Sequence, residues 1–436
     1  MQCHKVLTVA ILAVSQGFGE VWADNEAAVE GGLEATPWIN EGMLQGADAE
    51  SGWAFGKSVA IGGDTAAVGA YNMVVDDVRT GGAYIFGRQG DSWVEEHKIE
   101  PEDGHEDDEL GWSVAAEGDV ALAGTRGALI GNQVNQGAVY AFVRIDGVWQ
   151  QTQKLLASDG DEQDDFGVAM VLDGDTLVVG AQRKDVAGQE QGSAYVFVLE
   201  GGLWIEQAKL FDPDGQVSDG FGRTVALDGD TALIGAPVAN VNGETNLGAA
   251  YVFERVGTTW TLQQRLLASD SAFNDQFGSS VALDGNIALI GATEKSINGM
   301  EFHGAAYFFE RQNGIWTEAQ RVLPSNGQED GEFGASAALV GDLALIGGYE
   351  QPQQVGIAYE FRYDGSTWLE TQQIIAPLGP GTFDGFAQAV AIDGGRAIFS
   401  QIGFDARGAA WVLRRPPLFE DGFESGDTSV WSAVVP

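Results

Sequence analysis

Cysteine is almost absent from this chain of 436 residues, which contains one, Cys3, and only four histidines. A single thiol cannot form an internal disulfide, and zinc sites built from several cysteines are excluded. None of His97, His105 and His303 is spaced to share a metal, and no Ser-His-Asp constellation can be nominated. The sequence therefore predicts a protein that is not an enzyme. One enzymatic alternative stays open, a glycan-acting hydrolase, because carboxylates alone support glycoside hydrolysis.

Basic residues are also scarce, with 22 Lys and Arg against 64 Asp and Glu, which gives a formal net charge of -42. A chain this acidic repels the phosphates of nucleic acids, and anionic membrane surfaces are disfavoured for the same reason. Hydrophobic residues nevertheless make up 44% of the chain, with 12 Trp and 22 Phe, so a large folded core is expected. The acidity has two interpretations, solubility and cation binding.

No hydrophobic run in the chain is long enough to span a bilayer. A short apolar run at residues 6–14 follows Lys5 and leads to Val21-Trp22-Ala23, a sequence that a signal peptidase can cleave. These features predict a signal peptide over residues 1–23, and hence a secreted or cell-surface protein without membrane insertion. Cys3 lies before the apolar run and not at the cleavage site, which argues against a lipoprotein anchor. Residues 24–37 are expected to form a linker.

Glycine is abundant, at 62 residues, and much of it recurs at a fixed period. In six copies a glycine follows an aromatic or large apolar residue, and alanine takes the seventh slot: Gly56, Gly111, Gly167, Gly222, Gly278, Gly334 and Ala387. A second small residue stands thirteen positions later: Gly69, Gly124, Gly180, Gly235, Gly291, Gly347 and Ser400. A third landmark is aromatic: Tyr84, Tyr140, Tyr195, Tyr251, Tyr307, Tyr359 and Trp411. Seven copies of one unit of about 55 residues are therefore present.

Each unit predicts four short strands and no helix, as the fourth copy shows. Residues 223–227 alternate in polarity and lead to Asp228-Gly229, which is typical of a two-residue type I′ hairpin turn. Residues 231–236, 249–255 and 260–267 form the other three strands. Four antiparallel strands repeated at this period are typical of the blades of a β-propeller.

The two ends of the chain predict that the propeller is closed. The seventh copy stops after its third strand at residues 411–413, and Pro416-Pro417 follows. Residues 38–44 resemble an unpaired fourth strand, since Trp38 precedes Phe55 by the same 17 positions that separate Trp260 from Phe277. The N-terminal strand would then complete the last blade and remove the open sheet edges. The sequence thus predicts an all-β, seven-bladed β-propeller over residues 38–415, followed by a tail over residues 416–436.

These landmarks resemble the FG-GAP repeat, the unit of the integrin α-chain propeller and of many exported bacterial proteins. The matching residues are Phe-Gly at 166–167, 221–222, 277–278 and 333–334, and Gly235-Ala236-Pro237; residues 221–260 match a bacterial subgroup most fully. The resemblance implies a propeller that serves adhesion, ligand capture or scaffolding. In integrins the first hairpin of several blades carries a calcium loop. Here that hairpin is a two-residue turn, which cannot wrap a cation that needs six to eight oxygens.

The loops that connect successive blades are rich in carboxylates. They should lie on the same face of the propeller as the loops between the second and third strands, so one face is expected to be strongly negative. Hard cations such as Ca²⁺ bind clustered carboxylates. The candidate calcium ligands precede blades three and four: Asp159, Asp161, Asp164, Asp165, Asp212, Asp214 and Asp219. The alternative is a solvated acidic face whose aspartates brace turns.

The aromatic residues have two interpretations, packing in the core and contact with a ligand. The tyrosines and tryptophans that recur once per unit are expected to pack between blades. Trp53 and Trp112 stand outside that register beside connecting loops, where they either join the core or face a ligand. The loops at 71–80, 126–136, 182–191, 237–247 and 293–303 vary while the frame does not, so they are the expected contact for an extracellular protein or glycan. A purely structural propeller without metal is the alternative.

Overall fold

Seven antiparallel sheets of four strands each make up the fold, which confirms the predicted seven-bladed β-propeller. The computed structural model describes residues 36–241, 243–350, 355–378 and 385–416. The predicted signal peptide, most of the linker and nearly all of the tail lie outside the described residues. No helix among the described residues is long and apolar enough to cross a membrane.

The first four blades follow one another along the chain. Their strands are Phe55–Gly62, Thr65–Ala70, Gly82–Gln89 and Ser92–Ile99 in blade 1, and Leu110–Glu117, Val120–Thr125, Ala138–Ile145 and Val148–Leu155 in blade 2. Blade 3 contains Phe166–Asp173, Thr176–Ala181, Ser193–Glu200 and Leu203–Leu210, and blade 4 contains Thr224–Asp228, Thr231–Ala236, Ala249–Val256 and Thr259–Leu266.

The last three blades repeat the same order. Their strands are Phe277–Asp284, Ile287–Ala292, Ala305–Gln312 and Ile315–Val322 in blade 5, and Ser336–Val340, Leu343–Glu350, Val355–Tyr363 and Trp368–Ile374 in blade 6. Blade 7 contains Phe386–Asp393, Arg396–Gln401, Ala409–Arg414 and, from the other end of the chain, Ile39–Leu44. Minor elements are the ribbons Val74–Val75 with Val78–Arg79 and Asp185–Val186 with Gln189–Glu190, and a 3₁₀ turn at Phe404–Ala406.

Blade 7 closes the ring as the chain ends predict. The strand Ile39–Leu44 runs antiparallel to Ala409–Arg414, with Leu44 opposite Ala410. Leu44 is buried in the core. Glu41 accepts a 2.7 Å hydrogen bond from Nε of Arg396, so the N-terminal strand is tied to the second strand of the blade as well as to the third.

The repeated landmarks are explained by packing within and between blades. Phe166 is fully buried, with its ring centroid 5.5 Å from that of Tyr195 on the third strand of the same blade. At Gly180 an added Cβ would lie 1.9 Å from the carbonyl oxygen of Gly222, so the small residue is required where the next blade approaches. The backbone of Trp204 forms two 2.9 Å hydrogen bonds with the side-chain amide of Gln153 in the preceding blade: its N–H donates to Oε1 and its carbonyl accepts from Nε2. The recurring aromatics therefore pack the blades, as predicted.

The predicted hairpin turn is wrong by one residue. Asp228 pairs with Thr231, so the turn consists of Gly229 and Asp230, and Gly229 adopts a φ of 55°. Glycine in the first central position fits a type II′ turn better than the predicted type I′ turn. The physical reason is the positive φ that the first central residue of this turn requires, which glycine adopts without strain; Gly63 and Gly341 take the same place in blades 1 and 6.

Two faces follow from this topology. The short turns after the first and third strands lie on one side of the propeller, which we call the turn face. The loops after the second strand and the loops between blades lie on the opposite side, which we call the connecting face. The first strands of all blades surround a central channel.

Candidate functional site

The connecting face is a ring of paired loops held by backbone hydrogen bonds. In blades whose loops are fully described, the loop after the second strand forms backbone hydrogen bonds with the connecting loop that follows it. Asp165 N–H donates to the carbonyl of Asn135 at 3.0 Å, and Ser218 N–H donates to that of Glu190 at 2.8 Å. The same pairing recurs before blade 5, where Phe277 N–H donates to the carbonyl of Leu247 at 3.1 Å. This pairing fixes the base of every loop pair it joins.

One carboxylate recurs beneath the third strand of several blades. The tyrosine hydroxyl of that strand donates to an aspartate of the preceding connecting loop. Tyr195 donates to Asp159 at 2.6 Å and Tyr251 donates to Asp212 at 2.8 Å. Lys209 also donates to Asp159, at 2.8 Å. Burial opposes ionisation of Asp159, but the hydrogen bonds from Lys209 and Tyr195 outweigh it and hold the pKa of Asp159 below its ordinary value.

A second, deeply buried carboxylate recurs two residues before blades 2 to 5, as Asp108, Asp164, Asp219 and Asp275. Asp164 accepts a 2.6 Å hydrogen bond from Asp161 N–H and a 2.9 Å hydrogen bond from Nζ of Lys184. Lys184 also donates to the carbonyl of Asp159. The ammonium of Lys184 therefore occupies the position between carboxylate and carbonyl that a bound cation would need.

Blade 4 holds the equivalent carboxylate without a lysine. Asp219 accepts from the backbone N–H groups of Gln216 at 2.7 Å and Asn240 at 3.2 Å. Burial raises the pKa of Asp219 above its ordinary value, although these two hydrogen bonds oppose the shift, and the charge of Asp212 adds to it.

The other predicted ligands are less closely engaged. Asp165 accepts from the side-chain amide of Gln182 at 2.9 Å, and its burial raises its pKa. Asp161 is exposed, and its carboxylate accepts only the N–H of Glu162 among the described contacts, at 2.8 Å. Asp214 is exposed and donates its N–H to Asp212 at 3.0 Å.

The structure thus brings Asp159 near Asp164 and Asp212 near Asp219, and leaves Asp161 and Asp214 at the surface. Across the described ranges no three His, Cys, Asp or Glu side chains are grouped so that they could hold a metal ion. The observed contacts brace the loops with protein donors. Calcium binding at these loops stays a prediction.

The mouth of the central channel on the connecting face differs from the acidic loops, because one repeated position there carries no carboxylate in any blade. The residue after each landmark glycine or alanine occupies an equivalent position there, namely Lys57, Trp112, Val168, Arg223, Ser279, Ala335 and Gln388. In the first six blades the N–H of this residue bonds to the carbonyl three residues earlier, so the backbone geometry repeats. Trp53 is buried in the core, whereas Trp112 is half-buried at the mouth.

Two cations flank the Trp112 ring. Nζ of Lys57 lies 4.5 Å from the ring centroid, and Cζ of Arg126 lies 3.4 Å from it. Arg126 donates to Glu109 at 2.6 Å. Burial, followed by the positive charges of Arg126 and Arg223, lowers the pKa of Lys57, and Glu109 opposes that shift. Sequence reasoning missed this basic cluster; its signal was a rare basic residue directly after the landmark glycine in two copies.

Large apolar side chains are exposed at the tips of the connecting face. Phe273 precedes blade 5 and is 71% exposed, and Val217 precedes blade 4 and is 50% exposed. Both lie beyond the fixed bases of their loops, among the carboxylates. An apolar tip within a polar rim is typical of a surface that contacts a partner.

Comparison with known proteins identifies the repeat. The sequence profile described as the FG-GAP repeat matches residues 38–86, 93–142, 149–197, 204–253 and 260–309, together more than half of the chain. Each match begins at the fourth strand of one blade and ends within the third strand of the next, which is the frame that the closure of blade 7 requires.

Among curated proteins none matches. A solved structure that is similar is the crystal structure of a protein from Lactobacillus plantarum, with 14% sequence identity and a TM-score of 0.48, over 73% of this chain and 84% of that one. The five repeats matched by the profile and the seven blades of the structure lead to one conclusion: this chain belongs to the FG-GAP repeat family.

Proposed function

We propose that this protein is an exported binding module, serving adhesion or scaffolding, and that its connecting face contacts an extracellular protein or glycan. The observation that carries the proposal is the contrast within that face. The bases of its loops are fixed by hydrogen bonds that repeat from blade to blade, while the tips differ in sequence and expose apolar side chains such as Phe273. Variable loops on a rigid scaffold are where recognition residues concentrate.

Export is part of the proposal and is supported by the sequence at residues 1–23. The acidity fits a protein that must stay soluble outside the cell, because a large net charge opposes self-association. Catalysis is not part of the proposal, because the carboxylates with the strongest contacts are engaged by tyrosine, lysine and backbone donors that also brace the loops.

A pair of variants on opposite faces of the same two blades tests the proposal. Val217→Ser with Phe273→Ser alters the connecting face of blades 4 and 5. Val256→Ser with Ile315→Ser alters the turn face of the same blades, where these side chains are 79% and 59% exposed. Labelled protein, residues 24–436, is applied to an array of glycans and extracellular matrix proteins.

We expect the wild-type chain to bind at least one component, the connecting-face variant to lose about tenfold or more in affinity, and the turn-face variant to retain it. Equal binding by both variants would place recognition elsewhere. Turnover of an arrayed glycan would instead favour the hydrolase alternative.

A further inference from the structure

Positive charge is left unpaired at the channel mouth in a chain where acids outnumber bases 64 to 22. Most of the described lysines and arginines form salt bridges, for example Arg255 with Asp230 at 2.6 Å. Among the described residues, Lys57 and Arg223 form no salt bridge and no side-chain hydrogen bond. Arg265 also has no salt bridge among the described residues, but Lys57 and Arg223 are two cations without a carboxylate partner at one position of the repeat, and this recurrence needs a reason.

The two cations occupy equivalent positions in blades 1 and 4. Lys57 N–H donates to the carbonyl of Ala54 and Arg223 N–H to that of Gly220, both at 3.1 Å, so the backbone presents both side chains in the same way. The contact between Lys57 and the Trp112 ring shows that side chains at this position meet around the channel mouth. Lys57 is half-buried and Arg223 is exposed, so a ligand can reach the pair from the connecting face.

Two carboxylates near the Arg126–Trp112 contact are already engaged by protein donors. Glu109 already neutralises Arg126. Asp165 accepts a 2.9 Å hydrogen bond from the side-chain amide of Gln182. Like charges without a counterion repel one another, and an anion placed between them relieves that repulsion.

We propose that the channel mouth on the connecting face binds a small anion bearing a carboxylate or phosphate group, held by Lys57 and Arg223 beside the Arg126–Trp112 stack. The inference rests on the proposed binding role of that face. The net charge of the whole chain does not prevent it, because charges farther away than about 8 Å are screened at physiological ionic strength. Charge-assisted hydrogen bonds from lysine and arginine then provide the affinity.

Isothermal titration calorimetry of residues 24–436 in physiological salt tests the site with two probes, succinate and inorganic phosphate. We expect saturable one-site binding of at least one probe. Lys57→Met with Arg223→Met should lower that affinity about tenfold or more, since both charge-assisted hydrogen bonds to the anion are lost. The control, Arg79→Met with Arg183→Met, removes the same charge from exposed salt bridges on the same face and should bind as the wild type does.

Binding of succinate alone assigns a carboxylate ligand, and binding of phosphate alone assigns a phosphate ligand. Lys57→Arg with Arg223→Lys keeps both charges and should retain binding, which separates loss of the site from loss of folding. Absence of saturable binding to both probes, or an equal loss in the control, would overturn the inference. The array experiment can still succeed in that case, so failure of this site and failure of the proposed function are distinguishable.

Discussion

Replacing Lys184 by methionine removes the positive charge that pairs with the buried carboxylate of Asp164. The two side chains are 6% and 3% exposed, and their charged atoms lie 2.9 Å apart. Methionine keeps most of the length and apolar volume of the lysine stem. The variant therefore leaves a buried carboxylate whose remaining contact in the described structure is the N–H of Asp161.

Breaking a buried ion pair from one side typically destabilises a protein by about 3–5 kcal/mol, because the other charge stays desolvated. Nearly complete burial means that solvent does not screen this pair. The Asp161 hydrogen bond is retained, so we expect the free energy of unfolding to fall by about 3 kcal/mol, the lower end of that range. Asp164→Asn combined with Lys184→Met removes both charges but keeps an acceptor for Asp161 N–H, so this double variant should be more stable than Lys184→Met alone.

Equilibrium unfolding in urea at pH 7, followed by tryptophan fluorescence and circular dichroism, measures these differences. Arg183→Met is the matched control, because its salt bridge to Glu190 is exposed and such pairs contribute about 0–1 kcal/mol. A loss below about 1 kcal/mol for Lys184→Met would refute the reasoning. So would a double variant whose destabilisation equals or exceeds that of the single variant.

Two further predictions concern the same loops. The pKa of Asp159 is lowered in the folded state. Its ionised form therefore stabilises the protein above the unfolded pKa of about 3.9. That contribution is lost as the pH falls through the folded pKa. The melting temperature of Asp159→Asn should therefore lie below that of the wild type at pH 7 and approach it at pH 3, whereas the exposed Asp161→Asn should match the wild type at both. Since Lys184 occupies the cation position beside Asp164, we expect equal, salt-like rises in melting temperature with Ca²⁺ and Mg²⁺ after EDTA treatment; a saturable rise with Ca²⁺ alone would instead establish the calcium site predicted from the sequence.

The fold could be predicted from the sequence because seven copies report the same constraints. Gly180 and its equivalents mark where the next blade approaches, and Phe166 and its equivalents mark the core of each blade. A landmark that recurs many times is hard to mistake, and the missing fourth strand of the last copy predicts the closure. Local details of the structure were predicted less accurately from the sequence. The turn at Gly229 differs by one residue from the prediction because glycine takes the first central position of the turn, whereas the Asp228-Gly229 pattern placed it second.

The roles of the carboxylates could not be predicted from spacing alone. Asp159 and Asp164 are close in sequence, but Lys184, which decides what they bind, belongs to another loop that reaches them only in the folded blade. The basic pair at the channel mouth, Lys57 and Arg223, lies on blades that are not neighbours. Such residues are far apart in the sequence, so their spacing does not show that they meet. The folded ring brings equivalent positions of all blades around one axis.

The buried carboxylate before blades 2 to 5 also explains how one face can be both rigid and variable. In blades 3 and 5 it pairs with Lys184 and Lys295, the latter at 2.7 Å from Asp275. In blades 2 and 4 alanine stands at the lysine position, and a backbone N–H such as that of Asn240 takes its place. Two different donors thus hold the same loop base. Because the base is held by protein donors in both cases, the residues at the tips can change without loss of the frame, which is the property that a binding face requires.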